Sequence, residues 1–437
     1  MIDISDVVIL GANGTMGAGS GEVFAAGGCK VVFLARTAEK AHEGLVTAEN
    51  MARARRIADR ISVGTYGDEL EEAVAKADLI FEALAEDIEL KKKFFARVDR
   101  CRRPDSIVAT VSSGLSIAEM ARGRSDSFRR NFLGMHLYNP PNVIVGTEVI
   151  PHAETDPALV PAVVRLLEKR FGRVAIVAAD KPAFAGNRIG FKVLNDVAIL
   201  AETHGVAFAD YLIGPHTGRA LPPLATVDLV GWDVHKAIVD NVHANTEDES
   251  HGSFALPAYM QRLVAHGHLG DKTPQRGGFF RRVKEGAKTL NLVLDPQTGG
   301  YKDMRDTPVR PIPFVEEMRR LNRVGRYREA FRVFAEAAGA EAELARRVIL
   351  GYVSYALNRV GEHEVVASTR DVDRIMGFGF NWAPPTALID VLGVRTTIQL
   401  LDGLRLAVPR ALEQAAHRPD QRLFREPHVN IGRFFAA

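Results

Sequence analysis

Short runs of aliphatic and β-branched residues recur through the first 180 positions: Val7–Gly11, Lys30–Arg36, Asp78–Leu84, Ser106–Ser112, Asn131–Tyr138, Thr147–Ile150 and Arg173–Ala179. Between several of them apolar positions return every three to four residues, over Thr15–Ala26, Ala38–Asp59 and Asp87–Arg100. Strands alternating with helices predict βαβ units and a parallel sheet covered by helices on both faces. From Phe184 the helical period takes over, in Ala185–Thr203, Asp233–Asn245, Pro257–Gly267, Arg310–Ala338, Glu341–Gly361 and Thr396–Gln414. The change of period puts a boundary near Asp180-Lys181-Pro182, with an α/β domain over 1–180 and all-helical domains after it.

The helical half contains a repeat. Asp210-Tyr211-Leu212-Ile213-Gly214, Pro222-Pro223 and Asp228-Leu229-Val230-Gly231 recur as Asp373-Arg374-Ile375-Met376-Gly377, Pro384-Pro385 and Asp390-Val391-Leu392-Gly393. Asn195 stands against Asn358 in the helix before each copy, so four ordered matches share an offset of 162 to 163. That order argues for duplication, with helical domains over 181–300 and 301–437. The stretch Asp271–Gly339 is rich in Arg, Gly and Pro and reads as loop plus a connecting helix. Its Arg319, Arg320, Arg323, Arg326 and Arg328 read as a solvated helix face.

Composition narrows the function classes. Lys and Arg total 56 against 54 Asp and Glu, a net charge of +2, far from the basic bias of a protein that grips nucleic acid. Two cysteines, Cys29 and Cys101, exclude a disulfide scaffold or a cysteine-rich metal site. His266-Gly267-His268, with His243 and His251, has no metal-ligand spacing, so no metal is expected. Acids occupy Met1-Ile2-Asp3-Ile4-Ser5-Asp6 where a signal peptide carries Lys or Arg. No window reaches about 18 apolar residues, so the expectation is a cytoplasmic protein without a membrane partner.

The first strand runs into Gly11-Ala12-Asn13-Gly14-Thr15-Met16-Gly17 and then an apolar helix. Glycines in that context allow a tight turn and close approach of a pyrophosphate to the backbone, and the helix N-terminus presents free N–H groups to it. This is the phosphate-binding turn of a Rossmann-type dinucleotide domain, one residue longer than G-x-G-x-x-G because Asn13 is absorbed in the turn. An acidic residue ending the second strand would hold the ribose 2′-OH of NAD. The position is Ala35, followed by Arg36, which can accept a 2′-phosphate or stack on adenine, so NADP stays open beside NAD.

Four later segments carry candidate chemistry: Phe81 to Lys91, with Glu86; Ala109 to Ser116, with Ser113; Gly134-Met135-His136-Leu137-Tyr138-Asn139-Pro140-Pro141; and Thr147-Glu148. Gly186-Asn187-Arg188 follows. Oxidising a secondary alcohol needs a base that titrates near neutral pH, and histidine with a carboxylate on its second ring nitrogen meets that need. Singly, His136 reads as a core histidine, Ser113 as a turn residue, Glu148 as a strand-end charge and Asn187 as a helix cap.

Together the H-x-x-N-P run, the Glu twelve residues on and the later Asn-Arg resemble the L-3-hydroxyacyl-CoA dehydrogenase family of fatty-acid β-oxidation, over nearly the whole chain. The arrangement is similar to the dehydrogenase portion of multifunctional β-oxidation proteins. The resemblance implies His136 as base and Glu148 as its partner, with Ser113 and Asn187 hydrogen-bonding the substrate oxygen and the His. It implies that Glu86, Lys91 and Asn139 line the nicotinamide and its ribose, and it leans the cofactor toward NAD. Substrate and nicotinamide are expected to meet between the sheet's C-terminal edge and the first helical domain. The implied partner is an acyl-CoA, and the chain is expected as a monomer or homodimer, since smaller relatives pair through one helical domain each and a fused second copy can satisfy that contact internally. Val111 and Gly114 stand where the family usually has Asn and Ser, and Val143 to Glu148 replace a Lys-bearing stretch, departures that bear on cofactor and acyl specificity.

Overall fold

The computed structural model describes residues 2–52, 54–285, 288–426 and 429–435. Met1 and Ala436-Ala437, the outermost residues of the expected 1–180 and 301–437 segments, lie outside the described residues. The chain forms two compact units: 1–185 with 362–367 and 378–380, and 186–361 with 368–377 and 381–437. The segments expected as two helical domains therefore fall in one unit.

In the first unit the elements run β1 Asp6–Leu10, α1 Thr15–Ala26, β2 Lys30–Ala35, α2 Ala38–Met51, α3 Arg55–Ala58, β3 Ile61–Thr65, α4 Leu70–Lys76, β4 Leu79–Glu82, α5 Ile88–Cys101 and β5 Ile107–Thr110. They continue with α6 Ile117–Ala121, α7 Asp126–Arg130, β6 Phe132–Leu137, β7 Gly146–Ile150, α8 Leu159–Lys169 and β8 Val174–Val177. The eight strands form one sheet in the order β3-β2-β1-β4-β5-β6-β7-β8. All neighbours pair in parallel except β6 and β7. Because helices cover the faces, β4, β5 and β6 are buried along their whole length, which is why they read as continuous apolar runs. β3 escaped the sequence reading: it is an edge strand, Ile-Ser-Val-Gly-Thr, with two of five positions exposed. The other edge, β8, is extended by a distant segment, where Ala178 bridges Val366 and the Ala179 N–H donates to the Val365 carbonyl at 2.9 Å.

The second unit holds α9 Gly186–His204, α10 Val206–Leu212, α11 Pro223–Val230, α12 Trp232–Asn245, α13 Ala258–Ala265, β9 Phe280–Glu285, β10 Lys288–Leu294 and β11 Tyr301–Asp303. Then come α14 Pro313–Arg323, α15 Tyr327–Glu336, α16 Ala340–Asn358, α17 Thr369–Phe378, α18 Pro385–Leu392, α19 Val394–Gly403 and α20 Arg410–Ala416. The expectation of purely helical domains needs correction here. Residues 280–285, 288–294 and 301–303, within the stretch read as loop plus a connecting helix, form a three-stranded antiparallel sheet, β11-β10-β9. β9, Phe-Arg-Arg-Val-Lys-Glu, is charged and buries no residue, which hides it as a strand, whereas β10 does alternate through Leu290 and Leu292 and buries Val293 and Leu294. The predicted helix Arg310–Ala338 divides at Gly325, which takes φ +75°.

The repeated motif residues act alike. Asp210 accepts the backbone N–H of Leu224 and Ala225 at the start of α11, and Asp373 accepts that of Thr386 at the start of α18. Asp228 receives the N–H groups of Phe279 and Phe280, and Asp390 those of Leu423 and Phe424. Gly231 and Gly393, at φ +101° and +92°, open the next helix in each case.

Candidate active site

The site grows from one register. In the antiparallel pair β6–β7, His136 stands directly opposite Glu148, so both side chains project from the same face of the sheet. The twelve-residue spacing in the sequence is the path round the connection between them. His136 Nδ1 lies 2.7 Å from Glu148 Oε2, and both residues are buried. With Nδ1 engaged, Nε2 is the ring nitrogen left to exchange a proton with a ligand.

The carboxylate is held by two further groups that the sequence reading did not identify. The Tyr138 O–H donates to Oε2 at 2.8 Å, and the Ala185 N–H donates to Oε1 at 2.9 Å. Burial, then the Glu148 charge, pushes the Tyr138 phenol well above its usual range, so it remains a donor. The Ala185 N–H arrives through Ala183 and Phe184, at φ +59° and +52°, a left-handed conformation that a bulky residue adopts at a cost of roughly 1–3 kcal/mol. The same turn sets the Phe184 ring 6.0 Å from the imidazole. No local sequence pattern marks such a turn, because neither residue is Gly or Asn.

Ser113 lies in the loop after β5, at the sheet end where His136 sits, and its N–H donates to Glu86 Oε1 at 2.9 Å. Ser112 Oγ donates to the same oxygen. Glu86 is partly exposed, whereas Lys91 is fully buried. Lys91 Nζ lies 2.7 Å from Glu82 Oε1 and 3.4 Å from Glu86 Oε2, so its reach toward any ligand passes through Glu86. Glu82, not singled out from the sequence, is buried and also receives the Leu84 N–H and the Thr110 hydroxyl. Asn139 is exposed just beyond β6. Asn187 is the second residue of α9, in the helical unit, two residues after Ala185.

At the C-terminal end of β1, on the same sheet edge, Gly11 takes φ +86°, and a Cβ there would stand 2.3 Å from the Ala83 carbonyl oxygen. A Cβ on Gly17 would stand 2.3 Å from the Gly11 oxygen. The Gly11 N–H donates to Tyr66 Oη at 2.8 Å, and burial pushes that phenol up to about 12. Helix α1 begins after Gly14 with no side-chain cap and no acid in its first turn. Asn13, Gly14 and Thr15 are exposed and Met16 partly so. A dinucleotide fits these features: Gly11 and Gly17 let the turn pack tightly on β4 and on itself, and the exposed helix start leaves N–H groups and positive dipole for a pyrophosphate. Arg36 is exposed at the end of β2, and Ala35 beside it offers no carboxylate to a ribose.

Comparison with known proteins bears on this geometry. The family model described as 3-hydroxyacyl-CoA dehydrogenase, NAD binding domain, matches residues 6–181, and the C-terminal domain of the same family matches 184–279. A probable 3-hydroxyacyl-CoA dehydrogenase of Bacillus subtilis (strain 168) is 30% identical over 368 residues, covering 83% of this chain and 45% of the relative. One of Deinococcus radiodurans is 32% identical, covering 52% of this chain and 64% of its own length. The chain thus spans between about half and two thirds of these two relatives. A 3-hydroxybutyryl-CoA dehydrogenase of Clostridioides difficile is 31% identical over 61% of this chain and 96% of its own. Among solved structures, the 3-hydroxybutyryl-CoA dehydrogenase of Escherichia coli K12 aligns with TM-score 0.69 over 95% of this chain and 98% of that one, at 22% identity, a likeness of fold.

Proposed function

The chain belongs to the 3-hydroxyacyl-CoA dehydrogenase family, and from that premise we propose that it catalyses the reversible oxidation of an L-3-hydroxyacyl-CoA to the 3-oxoacyl-CoA. The observation that carries this reading is the buried His136–Glu148 pair, with one ring nitrogen committed to a carboxylate that three donors hold. NAD, bound at the glycine turn, supplies the hydride acceptor. His136 Nε2 takes the hydroxyl proton, and Glu148 fixes the tautomer and stabilises the imidazolium as it forms. Ser113 and Asn187 are proposed to position the substrate oxygen, and Glu86 and Asn139 to meet the cofactor. Lys91 then acts by fixing Glu86. Arg36 is proposed to lie along the adenosine end.

The helical unit is further proposed to hold two copies of one fold. Support comes from Asp210 and Asp373, and from Asp228 and Asp390, each pair engaging the matching backbone in the same way.

The test is direct: purified protein, acetoacetyl-CoA and either NADH or NADPH, followed by the loss of reduced-nicotinamide absorbance. Oxidation of NADH in preference to NADPH is expected. No oxidation of either would overturn the reading.

A further inference from the structure

The carboxylate partner of His136 carries donors besides the imidazole, and one of them shares the oxygen that the imidazole uses. Tyr138 O–H donates to Oε2 at 2.8 Å, the oxygen that Nδ1 also uses at 2.7 Å. The phenol is two residues from His136 on the same strand end, buried, with its ring 4.7 Å from the imidazole. Phe380 packs edge-on against that ring at 5.7 Å and 67°. It arrives from far along the chain with Gly379, whose backbone lies so close to β7 that a Cβ on Gly146 would stand 2.6 Å from its nitrogen. The tyrosine is therefore held on the oxygen from two sides.

We propose that Tyr138 is a positioning residue that acts through Glu148: by sharing Oε2 it draws negative charge from the carboxylate and makes His136 a weaker base. The proposal rests on the reading of His136 as the proton-transferring group. A carboxylate stabilises imidazolium in proportion to the charge it presents, and a hydrogen bond to its oxygen disperses that charge. Glu148 reaches His136 from β7, and Tyr138 stands just past β6; Phe184 beside His136 and Phe380 beside Tyr138 carry no charge, while on the β5 side Ser112 and Ser113 hold Glu86, a carboxylate that Lys91 pairs. A phenol held here lets the reaction run both ways near neutral pH, since an over-stabilised imidazolium would be slow to return its proton.

The experiment is an NMR titration of the full chain labelled at histidine carbon, with the His136 signal assigned by its loss in His136→Gln. In Tyr138→Phe, which keeps the ring, the His136 titration should move up by roughly half a pH unit or more. The acid limb of kcat/KM for hydroxyacyl-CoA oxidation should move with it. Replacing tyrosine by 3-fluorotyrosine, whose more acidic phenol donates more strongly, should move the titration the other way and serves if the Phe variant does not fold. An unchanged or lowered His136 titration in Tyr138→Phe, or no downward movement with fluorotyrosine, overturns the proposal. Failure of the dehydrogenase reading is seen separately, as wild-type protein that oxidises neither reduced cofactor with acetoacetyl-CoA.

Discussion

At the residue scale the site separates groups that exchange protons from groups that hold them. His136→Gln removes the base while leaving the β6–β7 register intact, so turnover should fall by several orders of magnitude with an unchanged thermal midpoint. Glu148→Gln keeps the shape but weakens control of the tautomer, and a loss of about 10²–10⁴ in kcat is expected. Near-normal turnover in either variant, measured by cofactor absorbance, would count against the assignment. Lys91 and Glu82 form the other kind of pair, fully buried and paired at 2.7 Å. Removing one partner of such a pair strands the other charge, so Lys91→Met should cost about 3–5 kcal/mol of stability by denaturant titration. A cost under about 1 kcal/mol would mean that the Leu84 N–H and the Thr110 hydroxyl suffice to hold Glu82.

At the element scale, β7 carries Glu148 and also serves as the bed for Phe378–Phe380. Gly146 makes that approach possible, since a Cβ would meet the backbone of Gly379 rather than a flexible side-chain end. Gly146→Ala should destabilise by roughly 1–3 kcal/mol and lower kcat by loosening Phe380 from Tyr138. Unchanged melting and turnover would show the segment yielding at no cost. The helical unit offers a pH-dependent counterpart. Burial outweighs the backbone donors and pushes Asp210 to about 7, Asp228 to about 6 and Asp373 to about 8. Each is protonated more readily folded than unfolded, so each contributes stability at low pH that is lost as pH rises through its folded value. Burial pushes His216 and His235 down to about 3, and their contribution is lost instead as pH falls below the ordinary histidine range. Above the ordinary histidine range the loss from Asp373, and the tail of that from Asp210, continues, so the thermal midpoint should drop between about pH 7 and 8.5. Asp373→Asn, which keeps an acceptor and cannot ionise, should flatten that drop, and an equal slope in both proteins would refute the assignment.

These elements also mark how far the sequence was legible. Strands buried on both faces, such as β4 and β6, announce themselves as apolar runs, and α1 begins and ends where its pattern does. His136 and Glu148 were findable through the H-x-x-N-P run and the Glu twelve residues on, a spacing that the β6–β7 register turns into opposition. Ala185 was not, because its N–H reaches Glu148 only after the chain turns at Ala183–Phe184 in a conformation their side chains do not signal, and Tyr138 reads in the sequence as one more core aromatic until its hydroxyl is seen on Glu148. The β9–β11 sheet was missed for the reverse reason: β9 is charged and β11 is three residues long, neither buries a residue, and the alternation of β10 stands alone between them.

At the scale of the whole molecule, the long helices α9 and α16 decide what the second proposed copy is for. Both are buried through most of their length, more than an amphipathic surface helix buries, and they pack on each other. Arg188, near the start of α9, donates to the Tyr355 hydroxyl of α16 at 2.9 Å and to Asp248 at 2.8 Å. Arg359, just past α16, reaches Asp248 and takes both oxygens of Glu249 at 2.9 Å. A single copy would leave the apolar face of its long helix to be covered by another chain, and here the covering helix lies in the same chain. Sedimentation at micromolar concentration should therefore give the mass of one chain, independent of loading. A tight dimer would mean that a different surface carries association and that covering α9 is not what the second copy contributes.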